Sequence, residues 1–323
     1  MKIAILGASS EIARDLILSF AKFDVVKDFV LFGRQPEIIA GWLNSVGLKG
    51  RCDVLSLDDF FSQNQFDAII NFIGSGNPAK TAMMGAEIYE ITEKFDSKVI
   101  DYLKNSPSCK YIFLSSGAVY GGSFDMPVNE NSMATIPINR FESSNYYGAA
   151  KLLTELKHRS HPSLSIVDVR VFNYFSHTQN VNSSYLMSDL CRSIMSSSVF
   201  VTSEIDIFRD YIDPADFHNL IIRILLAEPT NIAVDCYSRA PVSKVEILEA
   251  LRSNFGLEYR LTPRIEVNGP IGNKLSYYSL SRKAAKFGYC PGMSSIETLV
   301  TQVGILLSSK SKDFSNELGE DLL

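Results

Sequence analysis

Tyr147 and Lys151 stand four residues apart in the stretch SSNYYGAAKLLTELK, so a helix places both side chains on one face. A phenol has an unperturbed pKa of about 10, and a neighbouring ammonium that stabilises phenolate lets it exchange protons closer to neutrality. Upstream, KYIFLSSGAVYGG closes an apolar, strand-like run on Ser115 and Ser116. A strand-end hydroxyl beside a Tyr/Lys pair describes a site that moves a proton on and off a substrate oxygen. A YxxxK pair taken alone is common in helices, so the elements that position it carry the argument.

The chain begins MKIAILGASSEIARDLILSF. An apolar run gives way at Gly7 to a helix-like pattern, where a dinucleotide-binding turn carries three glycines: one for the tight turn, one for backbone approach to pyrophosphate, one for helix packing. In that spacing the positions hold Gly7, Ser10 and Ala13, and the Ser10 hydroxyl is placed to bond a phosphate oxygen. KIAILG, DFVLFG, GRCDVLS, FDAIINFIG, KYIFLSS and LSIVDVRVFN alternate with helical segments that end near Phe23, run from Ile38 to Val46 and from Ala86 to Leu103. The continuous apolarity of these runs predicts strands covered on both faces, hence a doubly wound parallel sheet.

Composition narrows the class further. With 46% hydrophobic and 21% charged residues the chain builds a substantial core, and the net charge of −5, without a Lys/Arg cluster, excludes an electrostatic footprint for nucleic acid. No apolar run reaches the roughly 18–20 residues of a membrane span, so a cytoplasmic protein is expected. The five cysteines and four histidines are scattered without ligand spacing, which predicts no metal. The tail after about Ser308 is polar enough to predict partial mobility.

SSGAVYG, PVNE, YGAAK, RVFN, RDYIDPADF, PVSKVEILEAL and YSLSRKAAKFGYCPGMSSIETL occur in the order found in the extended short-chain dehydrogenase/reductase family, and over nearly its whole length the chain resembles that family's nucleotide-sugar epimerases, dehydratases and reductases. The resemblance implies a Rossmann sheet domain over residues 1–173 and a smaller α/β substrate lobe over 174–323, with a segment near 208–228 returning to the first. It implies Tyr147 as acid/base, Lys151 on the nicotinamide ribose and Ser116 on the reacting oxygen, with Gly117 beside it. It makes GASSEIA the pyrophosphate turn, with Gly7, Ser9, Ser10, Glu11 and Ile12 at the cofactor. Asp53 and Val54 would lie at adenine, Phe72, Ile73 and Gly74 along the ribose and phosphates, and Asn173 and Arg209 on the sugar nucleotide. Relatives often pair through the helix bearing Tyr147 and its neighbour, so a homodimer is expected.

Two short stretches bear on chemistry. Where an acidic residue at the end of the second strand would hold the ribose hydroxyls of NAD, the chain has Gly33 followed by Arg34; this favours NADP(H) and leaves NAD(H) open. After Ser116 come Gly117 and Ala118 rather than the Asp-Glu pair of the family's dehydratases, which removes water elimination. The favoured reading is NADPH-dependent reduction of a 4-keto (6-deoxy) sugar nucleotide with Tyr147 as proton donor; an NAD-dependent 4-epimerase is the alternative, and a non-catalytic dinucleotide-sensing relative the alternative of another class. Asp216 is read as a helix N-cap and Tyr146 as structural.

Overall fold

The computed structural model describes all residues except 24, 25, 27, 63, 64, 75–80, 82, 264–273 and 321–323, and the backbone alone at 61, 62 and 310–320. Its centre is a seven-stranded sheet, every neighbouring pair parallel, in the order β3-β2-β1-β4-β5-β6-β11. The strands are β1 (Lys2–Leu6), β2 (Asp28–Gly33), β3 (Asp53–Ser56), β4 (Ala68–Asn71), β5 (Lys110–Ser116), β6 (Ile166–Val171) and β11 (Asn231–Asp235). The order reverses between β1 and β4, which opens a crevice at the carboxyl ends of the strands.

Both faces of the sheet are covered, as the uninterrupted apolar runs require. Ile3 and Ile5 of β1 point to a layer formed by α1 (Glu11–Phe23) and α6 (Pro214–Leu226), with Leu16, Ile17, Phe20, Phe217 and Leu220 buried there. Ala4 and Leu6 point to the opposite layer, where Val99, Ile100 and Leu103 of α3 (Glu87–Asn105) meet Tyr111 and Phe113. The period of two along a strand divides one sequence between two cores. Between β2 and β3 runs α2 (Pro36–Ser45), and α4 (Tyr146–Arg159) leads into β6.

After β6 the chain builds a smaller lobe and comes back. Short strands β7 (Asn173–Tyr174), β8 (Phe200–Ser203), β9 (Phe208–Arg209), β10 (Tyr211–Ile212), β12 (Val242–Ser243), β13 (Tyr259–Thr262) and β14 (Ser276–Tyr277) pair among themselves. Helices α5 (Leu186–Met195), α7 (Lys244–Phe255) and α8 (Ser295–Glu320) enclose a separate core of Phe175, Leu190, Leu248, Leu251, Leu299 and Val303. The return to the sheet runs beyond residue 228: α6 packs into the α1 layer and β11 then adds the last strand beside β6. The polar C-terminal stretch is helical in backbone through Glu320, and its last three residues lie outside the described set.

One capping expectation is corrected. The N-cap of α6 is Asp213, whose carboxylate accepts from the Ala215 N–H at 2.8 Å, with Pro214 opening the helix. Asp216 lies inside the first turn and accepts instead from the backbone N–H groups of Gly292 and Met293, at 2.8 and 3.0 Å, tying α6 to the loop before α8.

Candidate active site

Ser116 ends β5 and caps the 3-10 turn Gly117–Tyr120, its Oγ accepting from the Ala118 N–H at 3.2 Å. Tyr147 sits in the first turn of α4, and Gly148 beside it has a steric purpose. A Cβ at Gly148 would come within 2.6 Å of the Ala118 carbonyl oxygen, so glycine lets α4 close on the turn that Ser116 caps. Burial raises the pKa of the Tyr147 phenol, and the Ser116 hydroxyl beside it draws it back down. Lys151 lies one helical turn on, 3% exposed, with Nζ donating to the carbonyls of Leu114 at 2.8 Å and Ile73 at 3.4 Å and lying 4.2 Å from the Phe113 ring centroid. Burial lowers its pKa to about 8, against the pull of Asp96, Glu155 and Asp168. The trio expected from sequence is thus gathered at the carboxyl edge of β5, its ammonium 5.9 Å from the Tyr147 ring.

The turn after β1 meets the end of β4 directly. Gly7 has φ of +73°, and a Cβ there would stand 3.0 Å from the Ile73 nitrogen and the Phe72 carbonyl carbon, so this position demands glycine twice over. Ser10 directly precedes α1, its Oγ accepting from the Ala13 N–H at 3.3 Å, which leaves its hydroxyl proton to be donated outward. Ser9 is exposed and Ile12 packs partly against the α1-side core. The Glu11 side chain is turned elsewhere: Oε1 accepts from the Asn180 N–H at 3.1 Å, while Asp15, one turn on, accepts from the Tyr174 and Thr178 hydroxyls at 2.8 and 2.7 Å. Two carboxylates of α1 therefore anchor the segment that follows β7, and Glu11 offers the turn only its backbone. Gly7, Phe72, Ile73, Gly74 and Lys151 form one continuous wall. The open backbone at the start of α1 and the glycine cradle fit a dinucleotide pyrophosphate.

Arg34 is exposed at the carboxyl end of β2. At Gly33 a Cβ would fall 2.3 Å from the Ile39 Cδ1, so α2 occupies the place where an acidic side chain would stand. Asp53 and Val54 lie elsewhere than expected. Asp53 opens β3 level with Val30, and Val54 pairs with Leu31 and packs into the α1-side core, whereas Ser56 is level with Gly33 at the carboxyl edge. Leu57 and Asp58, one step further, stand where adenine would be approached, because a parallel sheet binds at the carboxyl ends of its strands.

At the substrate side, Asn173 Nδ2 lies 3.4 Å from the carbonyls of Asp210 and Tyr277, so it braces the strands rather than facing outward. Arg209 is 3% exposed, with Nη1 donating to the carbonyls of Phe208 and Lys274 at 2.8 and 2.9 Å. Two residues that the motif reading missed join it. Tyr277 brings its hydroxyl to 3.4 Å from Ser116 Oγ, and Lys274 places Nζ 4.6 Å from the ring centroids of both Phe124 and Tyr277. The one sequence signal was a lysine three residues before a tyrosine in an otherwise neutral run. Tyr146 packs edge-on against Phe141 at 5.0 Å, in the structural part expected of it.

Beneath the site lies a closed charge cluster. His158, wholly buried on α4, bonds Asp168 through Nδ1 at 2.6 Å and Asp96 through Nε2 at 2.7 Å; Arg159 pairs with Asp168 and Lys157 with Asp96 at 2.9 Å. Burial would lower the His158 pKa, but the two carboxylates, Asp168 foremost, raise it to about 9. Ser115 and Arg170 both bond Glu155, and Tyr120 donates to Asp235, joining β5, α4, β6 and β11.

The sequence model of the NAD dependent epimerase/dehydratase family matches residues 45–235. Among curated proteins, a putative UDP-arabinose 4-epimerase 4 of Arabidopsis thaliana is 22% identical over 65% of this chain and 52% of its own length, and UDP-glucose 4-epimerase 1 of Oryza sativa subsp. japonica is 24% identical over 72% and 71%. The chain thus spans about half the length of the first of these relatives. Among solved structures, the UDP-glucose-4-epimerase of Stenotrophomonas maltophila, with bound NAD and formylated UDP-arabinopyranose, superposes with a TM-score of 0.79 at 14% identity, covering 97% of this chain and 99% of that one. Among the described residues no helix is long and apolar enough to cross a membrane.

Proposed function

Because the chain belongs to the NAD dependent epimerase/dehydratase family, we propose that it inverts C4 of a nucleotide-linked sugar, with Tyr147 exchanging the proton of the reacting hydroxyl. The observation that carries this reading is Tyr147 one helical turn before a buried Lys151, with Ser116 at the carboxyl edge of a parallel sheet whose first turn holds Gly7 at a φ of +73°. Gly7, Phe72 and Ile73 would hold a nicotinamide dinucleotide, which when bound would supply reversible hydride transfer at C4. Tyr147 removes the C4 hydroxyl proton as the ketone forms and gives it back as the epimer forms. Ser116 holds the same oxygen in both directions, and Lys151, fixed by the Leu114 carbonyl, stabilises phenolate. The curated relatives named above are 4-epimerases, which supports a uridine nucleotide as the carrier.

The test is incubation with NAD and, separately, UDP-glucose, UDP-galactose and UDP-arabinose, with proton NMR following inversion at C4. Loss of the C4 epimer signal in every pairing, with cofactor bound, would favour a dinucleotide-sensing protein.

A second reading is net reduction of a 4-keto sugar nucleotide by NADPH, and one observation favours it. Ile39 fills the space of an acidic residue at Gly33 while Arg34 lies exposed beside it, an arrangement that receives a 2′-phosphate more readily than a ribose diol. Consumption of NADPH with a 4-keto sugar nucleotide separates the two reactions. For assembly, Leu153 and Leu156 on α4 and Tyr89 on α3 are 45%, 56% and 39% exposed, an apolar face that a second copy would cover in a homodimer; light scattering reads the mass.

A further inference from the structure

We infer that residues 176–185 form a strap that gates exchange of the dinucleotide, an inference that rests on the functional reading above. The strap joins β7 to α5, and three observations give it that part.

The first is where it is rooted. Phe175, just before it, is 1% exposed in the core of the smaller lobe, and Val181 packs against the same core. Arg192 of α5 donates to the carbonyls of Val181 and Ser183, and the Ser183 N–H donates to the Asn180 carbonyl at 3.0 Å. His177 bonds Gln302 of α8 through Nδ1 at 2.8 Å. The smaller lobe thus braces the strap as a unit.

The second is how it is fastened to the other lobe. It meets α1 at two carboxylates one turn apart, where the Asn180 N–H donates to Glu11 at 3.1 Å and the Thr178 hydroxyl to Asp15 at 2.7 Å. Tyr174, edge-on to Phe217, aims Asp15 by donating to its other oxygen. Residues 176–185 contain no lysine or arginine, so both fastenings are neutral donors on carboxylates. Burial raises the Asp15 pKa before the Thr178 and Tyr174 hydroxyls draw it down, so desolvation partly offsets the bonds it accepts. Such a clasp opens at the cost of one or two hydrogen bonds, which water replaces.

The third is what it spans. Glu11 follows Ser10 of the Gly7 turn. Burial first, then the charges of Glu11 and Tyr147, raises the Tyr185 pKa, which sets this phenol between the first turn of α1 and the head of α4. The strap therefore runs from the Gly7 turn towards Tyr147, between which the functional reading places the dinucleotide.

Inversion at C4 removes a hydride and then restores it. Exchange of the dinucleotide between those two steps strands a 4-keto sugar, so a slow gate serves inversion, whereas a net reductase needs exchange in every cycle.

Stopped-flow fluorescence of NADH and NADPH on the full chain tests this, with association read on mixing and release on displacement by excess oxidised dinucleotide. Thr178→Val keeps the side-chain shape and removes the hydroxyl from Asp15. It should speed association and release alike by roughly tenfold to a hundredfold, the worth of one hydrogen bond to a charged group, and leave the dissociation constant unchanged. Hydrogen exchange at the Asn180 amide should quicken by a similar factor while the amides of α1 hold. Thr178→Ser, which returns the hydroxyl, should restore both rates and the protection of Asn180. Unchanged rates in Thr178→Val overturn the inference, as does a raised dissociation constant with unchanged association, which would make the strap a binding surface and not a gate. If the unmutated protein binds neither NADH nor NADPH, the functional reading falls and the gate with it.

Discussion

Between α3, α4 and β6, Asp96, His158 and Asp168 meet as alternating charges in the dry interior, whereas at the cleft Arg209 and Lys274 meet with the same sign. The first arrangement is complete within the protein: each partner exists because the others do. In the second, burial and the charge of Arg209 both lower the Lys274 pKa, to about 8. Buried charge alone therefore does not mark a functional site, because burial also assembles purely structural clusters.

The sharpest way to break this comparison is at Tyr147, the proposed acid/base. Tyr147→Phe should lower turnover by about two to four orders of magnitude while the melting temperature and dinucleotide affinity hold, read by C4 inversion alongside calorimetry. A variant that inverts C4 at the unmutated rate would place the chemistry elsewhere. In the core cluster the effect should appear in the other quantity. His158→Leu strands Asp96 and Asp168 in the interior and should cost about 3–5 kcal/mol of stability by denaturant unfolding, with KM little changed in the protein that remains folded.

The pH dependence of stability refines the same point. His158 is raised from an unfolded value near 6.5 to about 9, so its contribution is whole below pH 6.5 and is lost as pH rises through 9. Asp96 is shifted the opposite way: burial alone would raise its pKa, but His158 and Lys157 hold it below the usual range, so its contribution is whole above roughly pH 4 and is lost in acid. The cluster should stabilise most between those limits, and His158→Leu should flatten the alkaline side of the melting-temperature profile. The smallest effect is expected at the adenosine end. Arg34→Ala should weaken NADP binding by about 1.5–3 kcal/mol and NAD binding much less, and equal losses would separate Arg34 from the 2′-phosphate.

Much of the sheet could be read directly. KIAIL, DFVLFG and KYIFLSS are continuous apolar runs because both faces are covered, and period and composition coincide there. YGAAK was legible because helical spacing alone brings Tyr147 and Lys151 together. What escaped depends on register or on distant partners. Asp53 precedes a strand as plausibly as it ends one, and only its pairing with Val30 shows that it lies short of the carboxyl edge. Asp213 and Asp216 are equally good caps by type; Gly292 and Met293 decide between them. The contacts of Lys274 come from Phe124 and Arg209, remote in sequence, and His158 draws its partners from another helix and another strand. No local pattern encodes such meetings.

The seventh strand carries a consequence for how the chain can be divided. β11 covers the outer edge of β6, with Ile166 to Arg170 paired to Asn231 to Asp235, and the buried Asp235 accepts from Tyr120. A protein ended at residue 173 would keep the Gly7 turn and the Tyr147 helix, yet expose the backbone edge of an apolar strand as a template for other chains. The first 173 residues are thus not a cassette: their sheet takes its closing strand from residues 231–235, beyond part of the smaller lobe.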